Sequence, residues 1–269
     1  MLRTSPPRDA SILLHVIQMV PEGVAPVSVA PAPQVTLLDG FALHLGHGAG
    51  RALLDELPRG AQRLVAHLCF SGRPPRGAIA GQLWPDAPEE HAHGSLRSAL
   101  WRLQKVAPGL VEVTGSSLAL ADGVRVDVRE LGDWARRVRD PQCCLDDVEV
   151  PDCSARGELL PGWYDDWVLL ERERIRQLRM HALELVAVRL ADVGRHGEAL
   201  QAAYAAVRAE PLRESAHRTV VRVHLVEGNV SEALRVYEDF QAVLADELGV
   251  RPSEQMVRLV RELRPSTRR

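Results

Sequence analysis

Two seven-residue stretches, GRHGEAL at 194–200 and GNVSEAL at 228–234, carry Gly, Glu, Ala and Leu at matching positions 34 residues apart. That interval restricts the fold sharply, because it is the length of one helix–turn–helix unit in arrays of the tetratricopeptide kind. In such a unit the Gly permits the tight turn between helices, the small Ala lets neighbouring helices approach, and the Leu fills the seam. Two units alone bury little apolar surface. A long helix over about residues 167–193 and a last one from Pro252 are expected to complete the stack, so that everything after Leu159 reads as helix.

The first half is patterned differently. QVTLLDGFALHLG (34–46) predicts two short strands around an Asp39-Gly40 turn. Pro58 opens a helix whose Ala61, Leu64, Val65 and Leu68 share one face, and Ser71-Gly72 stops it. A second helix, about 76–83, ends at Trp84-Pro85, since proline cannot continue the ladder. Asp86 and Glu89 have capping-box spacing and are expected to start a third helix. LVEVTGSSLALADGVRVDV (110–128) alternates apolar and polar residues around 114–117, a hairpin with strand continuation, and a helix over 128–138 closes the unit. Strands, three helices and a hairpin in this order outline a winged helix, in which the third helix enters the major groove and the hairpin touches backbone.

The third helix contains GSLRSALWRLQKV (94–106). At 3.6 residues per turn, Leu96, Ala99, Leu100 and Leu103 fall on one face. Gly94, Ser98, Trp101 and Lys105 lie opposite, flanked by Arg97 and Arg102. One face packs on a core; the other is cationic and free of acids.

The expected fold class is mainly α with a small β component. A Pro/Ala-rich flexible leader (1–33) precedes the winged helix (34–139). An acidic, proline-punctuated linker (140–158) leads to an all-α tetratricopeptide-like unit (159–269). The 269 residues carry 33 basic and 36 acidic side chains, a net charge of −3, so affinity for nucleic acid has to come from a local patch. Basic charge is almost wholly arginine, and the single lysine is Lys105 on the third helix. Of the four cysteines, Cys69 reads as core, while Cys143, Cys144 and Cys153 lack CxxC spacing and read as reduced thiols. His44 with His47, and His91 with His93, lack further ligands, so neither a metal nor a cofactor is expected.

No apolar run approaches the ~20 residues that span a bilayer. SILLHVIQMV (11–20) echoes a signal peptide, but His15, Gln18 and Asp9 break the pattern, and the chain reads as cytoplasmic with no membrane partner. Enzyme motifs fail. GHGAG (46–50) does not extend to GxGxxG, Lys105 sits between Gln104 and Val106 and so makes no P-loop, and neither GxSxG nor HExxH occurs.

The stretches LLPGWYDDWVLLERERIRQLRMHALE (159–184), AEPLRESAHR (209–218), EGNVSEALRVYEDF (227–240) and LADELGVRPS (244–253) resemble the bacterial transcriptional activator domain. PRGAQRLVAHL, LWPD, SLRSALWRLQK and VRVDV stand in the order of the OmpR-type winged helix that precedes that domain in the Streptomyces antibiotic regulatory protein (SARP) family. The resemblance covers roughly residues 34–263. It implies a DNA-binding transcriptional activator, dimeric on short direct repeats near the −35 region of a promoter, that recruits RNA polymerase through its helical half. The implied DNA-binding residues are Gly94, Arg97, Ser98, Trp101, Arg102 and Lys105 on the third helix, Ser116 and Ser117 at the hairpin tip, and Arg125 nearby. Two positions depart from the family pattern. Gln104 follows Arg102-Leu103 where relatives carry a second arginine, and Trp101 stands where they carry a small or polar residue.

Trp101 has two readings, contact with thymine methyls or sugars, or packing against the helical half, with packing preferred. Trp163, Tyr164 and Trp167 read as the packed start of the stack or the seam between halves rather than a ligand cage. Asp165 and Asp166 read as helix-capping acids. Arg172, Arg174, Arg176 and Arg179, with Glu171 and Glu173, form either a salt-bridged surface or a face for polymerase or a second protomer. The competing function is a protein-interaction adaptor whose winged helix no longer binds DNA.

Overall fold

The computed structural model describes residues 32–47, 50–53, 57–143 and 150–261. The expected leader up to residue 31, the 11–20 stretch, Cys144 and the middle of the linker lie outside the described residues. The chain opens with β1 (Gln34–Thr36) and β2 (Ala42–His47), antiparallel with Val35 opposite Leu43. The turn between them holds Asp39 at φ 66°, a conformation Asp tolerates better than most residues. A third strand, β3 (Gly50–Leu53), extends the meander and was not foreseen in the glycine-rich GHGAG.

Three helices follow, α1 (Arg59–Phe70), α2 (Arg76–Leu83) and α3 (Glu89–Val106). The apolar stripes fall where periodicity put them: Leu64, Val65 and Leu68 of α1 and Leu96 and Leu103 of α3 are buried. The capping box expected at Asp86 does not form. Pro88 is the N-cap residue of α3, fixed at φ −52° and ψ 147°, and no side chain caps the helix, because Asp86 lies two residues too far out. The hairpin β4 (Val111–Thr114) and β5 (Ser117–Leu120) turns at Gly115, φ 59°. Next, β6 (Arg125–Val126) runs parallel to β1, giving the sheet order β3-β2-β1-β6, and leads into α4 (Asp127–Arg139). The buried Asp127 carboxylate accepts the N–H groups of Leu37, Leu38 and Val128, tying the end of β1 to the start of α4.

A 3-10 turn (Asp152–Ala155) leads to α5 (Asp166–Asp192), α6 (His196–Ala209), α7 (Glu214–Glu227), α8 (Val230–Leu248) and α9 (Glu254–Arg261). Gly194 and Gly228 take φ 81° and 89° at the helix-to-helix turns, and Ala199 and Ala233 are wholly buried, as the repeat requires. Among the described residues no helix is long and apolar enough to cross a membrane.

The two halves share one core. The Leu160 N–H donates to the Leu37 carbonyl (2.9 Å), the Asp39 N–H to the Glu158 carbonyl (3.0 Å), and the Gly157 N–H to the Asp39 carboxylate (2.8 Å). Trp163 is buried, stacked near Phe41 and covered by the Arg59 guanidinium at 3.5 Å, while Trp167 meets His67 and Phe70 edge-on. The seam reading thus holds for two aromatics; Tyr164 is 80% exposed and stays outside it. Asp165 does not cap α5 with its side chain. It ion-pairs across the seam with Arg63.

Arginine does much of the joining. Arg129 donates to the Leu68 and Cys69 carbonyls at the end of α1, and Arg189 to the Val138 carbonyl in the last turn of α4 and the Asp140 and Cys143 carbonyls just after it. Helix C-termini leave such carbonyls without partners, and a planar guanidinium fork satisfies two at once. Arg172 and Arg179 are clamps of the same kind on the carbonyls of residues 156–163, outside both readings of that arginine row, whereas Arg174 and Arg176 make the ion pairs with Glu171 and Glu173 of the salt-bridged reading.

Candidate nucleic-acid interface

The buried side of α3, with Ala92, Leu96, Ala99 and Leu103, packs against α1 and α2 and fixes which face turns outward. Arg97, Ser98, Trp101, Arg102 and Lys105 are all exposed on that outer side, with Gly94 partly so. Trp101 is 53% exposed and is not held under the helical half, so the packing expected there is not found. It borders a cleft formed with Arg76, Leu100 and Val113. The Lys105 ammonium lies 4.0 Å from the Trp101 ring centre and the Arg102 guanidinium 5.3 Å from it. A cation over an indole face is attracted by about 0.5–1 kcal/mol at an exposed site, enough to bias the rotamers without neutralising the charge.

The charges on this face have no acid partner among the described residues. Several surface arginines elsewhere are locked: Arg136, Arg174, Arg176, Arg195 and Arg235 each hold a carboxylate three residues away. The stretch 94–106 contains no acid to do this. Arg97 and Arg102 line an open groove with Gly94 and Ser98, bounded by His91 and Trp84. Such an array of free N–H donors and positive charge suits phosphate oxygens and guanine edges.

The hairpin is tethered beside α3. The Arg76 N–H donates to the Ser116 carbonyl (2.8 Å), the Leu118 N–H to the Pro74 carbonyl (3.1 Å), and Pro75 bridges to Ser117. Its tip at Gly115 and Ser116 is exposed, and Ser117 is half-buried. Arg125 is not brought to that tip. From Ser116 the chain descends β5, turns at 121–124, and reaches Arg125 beyond the foot of the hairpin, where the guanidinium pairs with Glu130 at 2.8 Å. Two cations escaped the sequence reading. Arg73 reaches Thr114 and Glu112 of β4 at 3.4 and 3.5 Å, and Arg76 stands at the start of α2 beside Trp101. Both flank Pro74-Pro75 in the loop just before a helix, a local signal that was available.

Thiol chemistry finds no support at Cys69 or Cys153. Burial pushes the Cys153 thiol up to about 11, and Cys69 is raised further by the same cause, so neither is a thiolate at neutral pH. Among the described residues no group of three or more His, Cys, Asp and Glu could hold a metal.

Residues 153–264 match the bacterial transcriptional activator domain. Two curated relatives carry the name Regulatory protein AfsR. The Streptomyces coelicolor protein is 30% identical over 214 residues, which are 76% of this chain and 22% of that protein. The Streptomyces griseus protein is 29% identical over 222 residues, with 75% and 22% covered. The chain therefore spans about a fifth (22%) of the length of these relatives. Among solved structures, Mycobacterium tuberculosis EmbR in complex with a low affinity phosphopeptide superposes with a TM-score of 0.61 at 18% identity. That match covers 86% of this chain and 64% of EmbR, and it shows the fold.

Proposed function

We propose, for a chain that belongs to the SARP family of transcriptional regulators, that its winged helix binds promoter DNA and its activator domain recruits RNA polymerase. One observation carries this reading: the outer face of α3 presents Arg97, Arg102 and Lys105 with no acid partner among the described residues, around a half-exposed tryptophan. A polyanion in a groove wide enough for a helix supplies the missing countercharge. Gly94 and Ser98 allow close approach, and Trp101, free on its outer side, is available to thymine methyls or sugars. Ser116 and Ser117 serve as the wing, with Arg73 beside them. Arg125 joins only by releasing Glu130.

The protein acts in the cytoplasm, without catalysis and without a cofactor. Two protomers on direct repeats near the −35 region combine modest single-site affinities, because the second contact is made at high effective concentration. The helical stack then holds polymerase at a weak promoter, where about 1.4 kcal/mol of contact raises occupancy tenfold.

A titration of the full chain against its promoter, followed by fluorescence anisotropy from 50 to 400 mM salt, tests this. Three phosphate-neutralising cations predict a slope of log K against log salt near −2.7 per protomer. Arg102→Ala is expected to weaken binding by about 1–3 kcal/mol if it reads a base, or to shallow the slope by about one if it holds a phosphate. Absence of binding at 50 mM salt would overturn the reading and leave the helical array as an adaptor.

A further inference from the structure

A cleft of about 710 Å³ opens between residues 154–159, the outer side of α5 and the end of α6. None of its lining residues belongs to α3 or the hairpin. One side is apolar: Ile175 and Met180 lie beneath, and Leu169 stands at the rim with 43% of its surface exposed. The other side is charged, with five arginines (156, 172, 176, 179 and 208) against three glutamates (158, 173 and 210). The glutamates are already engaged, Glu158 with Arg172 and the other two with Arg176, at 2.7–2.8 Å.

That leaves a cationic surplus. Arg179 is only 7% exposed and donates to the carbonyls of Arg156 and Gly157, with no carboxylate in contact. Asp39 and Asp127 act on this guanidinium without touching it, yet its withdrawal from water outweighs them and lowers its pKa. Arg208 is exposed at the mouth and has no acid partner among the described residues. The volume falls within the ~300–1,000 Å³ of small-molecule sites, and such sites combine apolar walls with a few convergent charged groups.

We infer that this cleft binds a small organic anion, its carboxylate or phosphate head held by Arg156, Arg179 and Arg208 and its apolar body laid against Leu169, Ile175 and Met180. The site has a second consequence. Gly157 and Glu158 line it and also bond to Asp39 of the first half, so an occupant tightens the joint between the two halves.

Calorimetric titration of the full chain, free of DNA, with decanoate and decyl phosphate below micelle formation tests the site, with 1-decanol as neutral control. At least one anion is expected to bind one per chain, ten times or more tighter than decanol; which head wins separates carboxylate from phosphate ligands. Arg208→Ala is expected to weaken the anion about tenfold and Arg208→Lys to restore most of it. Ala205→Trp, which fills the cleft from α6, is expected to abolish binding, its folding checked by circular dichroism. Arg208 is exposed, so its variants report even if the tryptophan variant fails to fold. No heat from either anion, equal affinity for decanol, or full affinity in Arg208→Ala would overturn the proposal.

Discussion

At Gly94 a methyl group would meet nothing nearer than an Arg97 guanidinium nitrogen at 3.8 Å. Nothing inside the protein requires glycine there, and glycine costs a helix interior about 1 kcal/mol relative to alanine. The proposed interface supplies a reason from outside, a surface that comes close. Gly94→Ala is expected to leave thermal stability unchanged or raise it slightly while lowering promoter affinity several-fold, read by calorimetry and anisotropy on the same preparation. Unchanged affinity would remove Gly94 from the interface. Periodicity made the neighbouring residues legible: one turn of arithmetic separates Leu96 and Leu103 from Arg97 and Lys105. What periodicity does not say is whether an outward face is covered by something distant in sequence. Trp101 turned out uncovered and Asp165 covered, the latter by Arg63 about a hundred residues earlier. Neither outcome is encoded in the residue's own neighbourhood.

Elements followed the sequence wherever their causes are local. Proline starts and stops, apolar periods and the paired glycines at 194 and 228 placed the helices of both halves to within a few residues. The third strand was missed because its residues lie among glycines, which weaken any strand pattern, and form a ladder only by pairing with β2. The segment from Gly157 to Leu160 was missed for a different reason: its partners, Asp39 and Leu37, lie more than a hundred residues away. It is the tightest of these connections. A Cβ on Gly157 would run into the Asp39 carboxylate, which accepts the Gly157 N–H. Gly157→Ala is therefore expected to destabilise the protein by about 1–3 kcal/mol, measured by urea unfolding. Asp39→Gly removes the obstructing carboxylate and relieves the positive φ, so Gly157→Ala is expected to cost much less in that background. Additive effects would mean that the collision is not the cause.

For the molecule as a whole, a core that passes from Leu37 and Leu38 through Leu159 and Leu160 to Val168 implies that the halves unfold together. His67 lies at this seam, its ring bonded to the Gln82 side chain at 2.6 Å and the Ser71 hydroxyl at 3.2 Å, with Trp167 edge-on at 5.3 Å. Burial holds its pKa below the ordinary 6.5, although the Gln82 bond and Glu171 pull the other way. In the helical half His217, stacked on Phe240, is lowered by burial too. Both rings exclude a proton that the unfolded chain accepts, so their contribution is complete above about pH 6.5 and is lost as pH falls toward their folded values. Each excluded proton costs at most about 1.4 kcal/mol per pH unit below 6.5. Asp127 has the opposite sign, since burial raises its carboxyl pKa, and its window opens from the ordinary carboxylate range upward. Urea midpoints at pH 7.5, 6.5 and 5.5 are therefore expected to fall together for probes in both halves. His67→Gln keeps a neutral polar group beside Gln82 and Ser71, and is expected to remove about half of that fall, leaving the share of His217. If the variant retains the whole pH dependence, the histidine at the seam is not its source; if probes in the two halves separate, the shared core does not make them one cooperative unit.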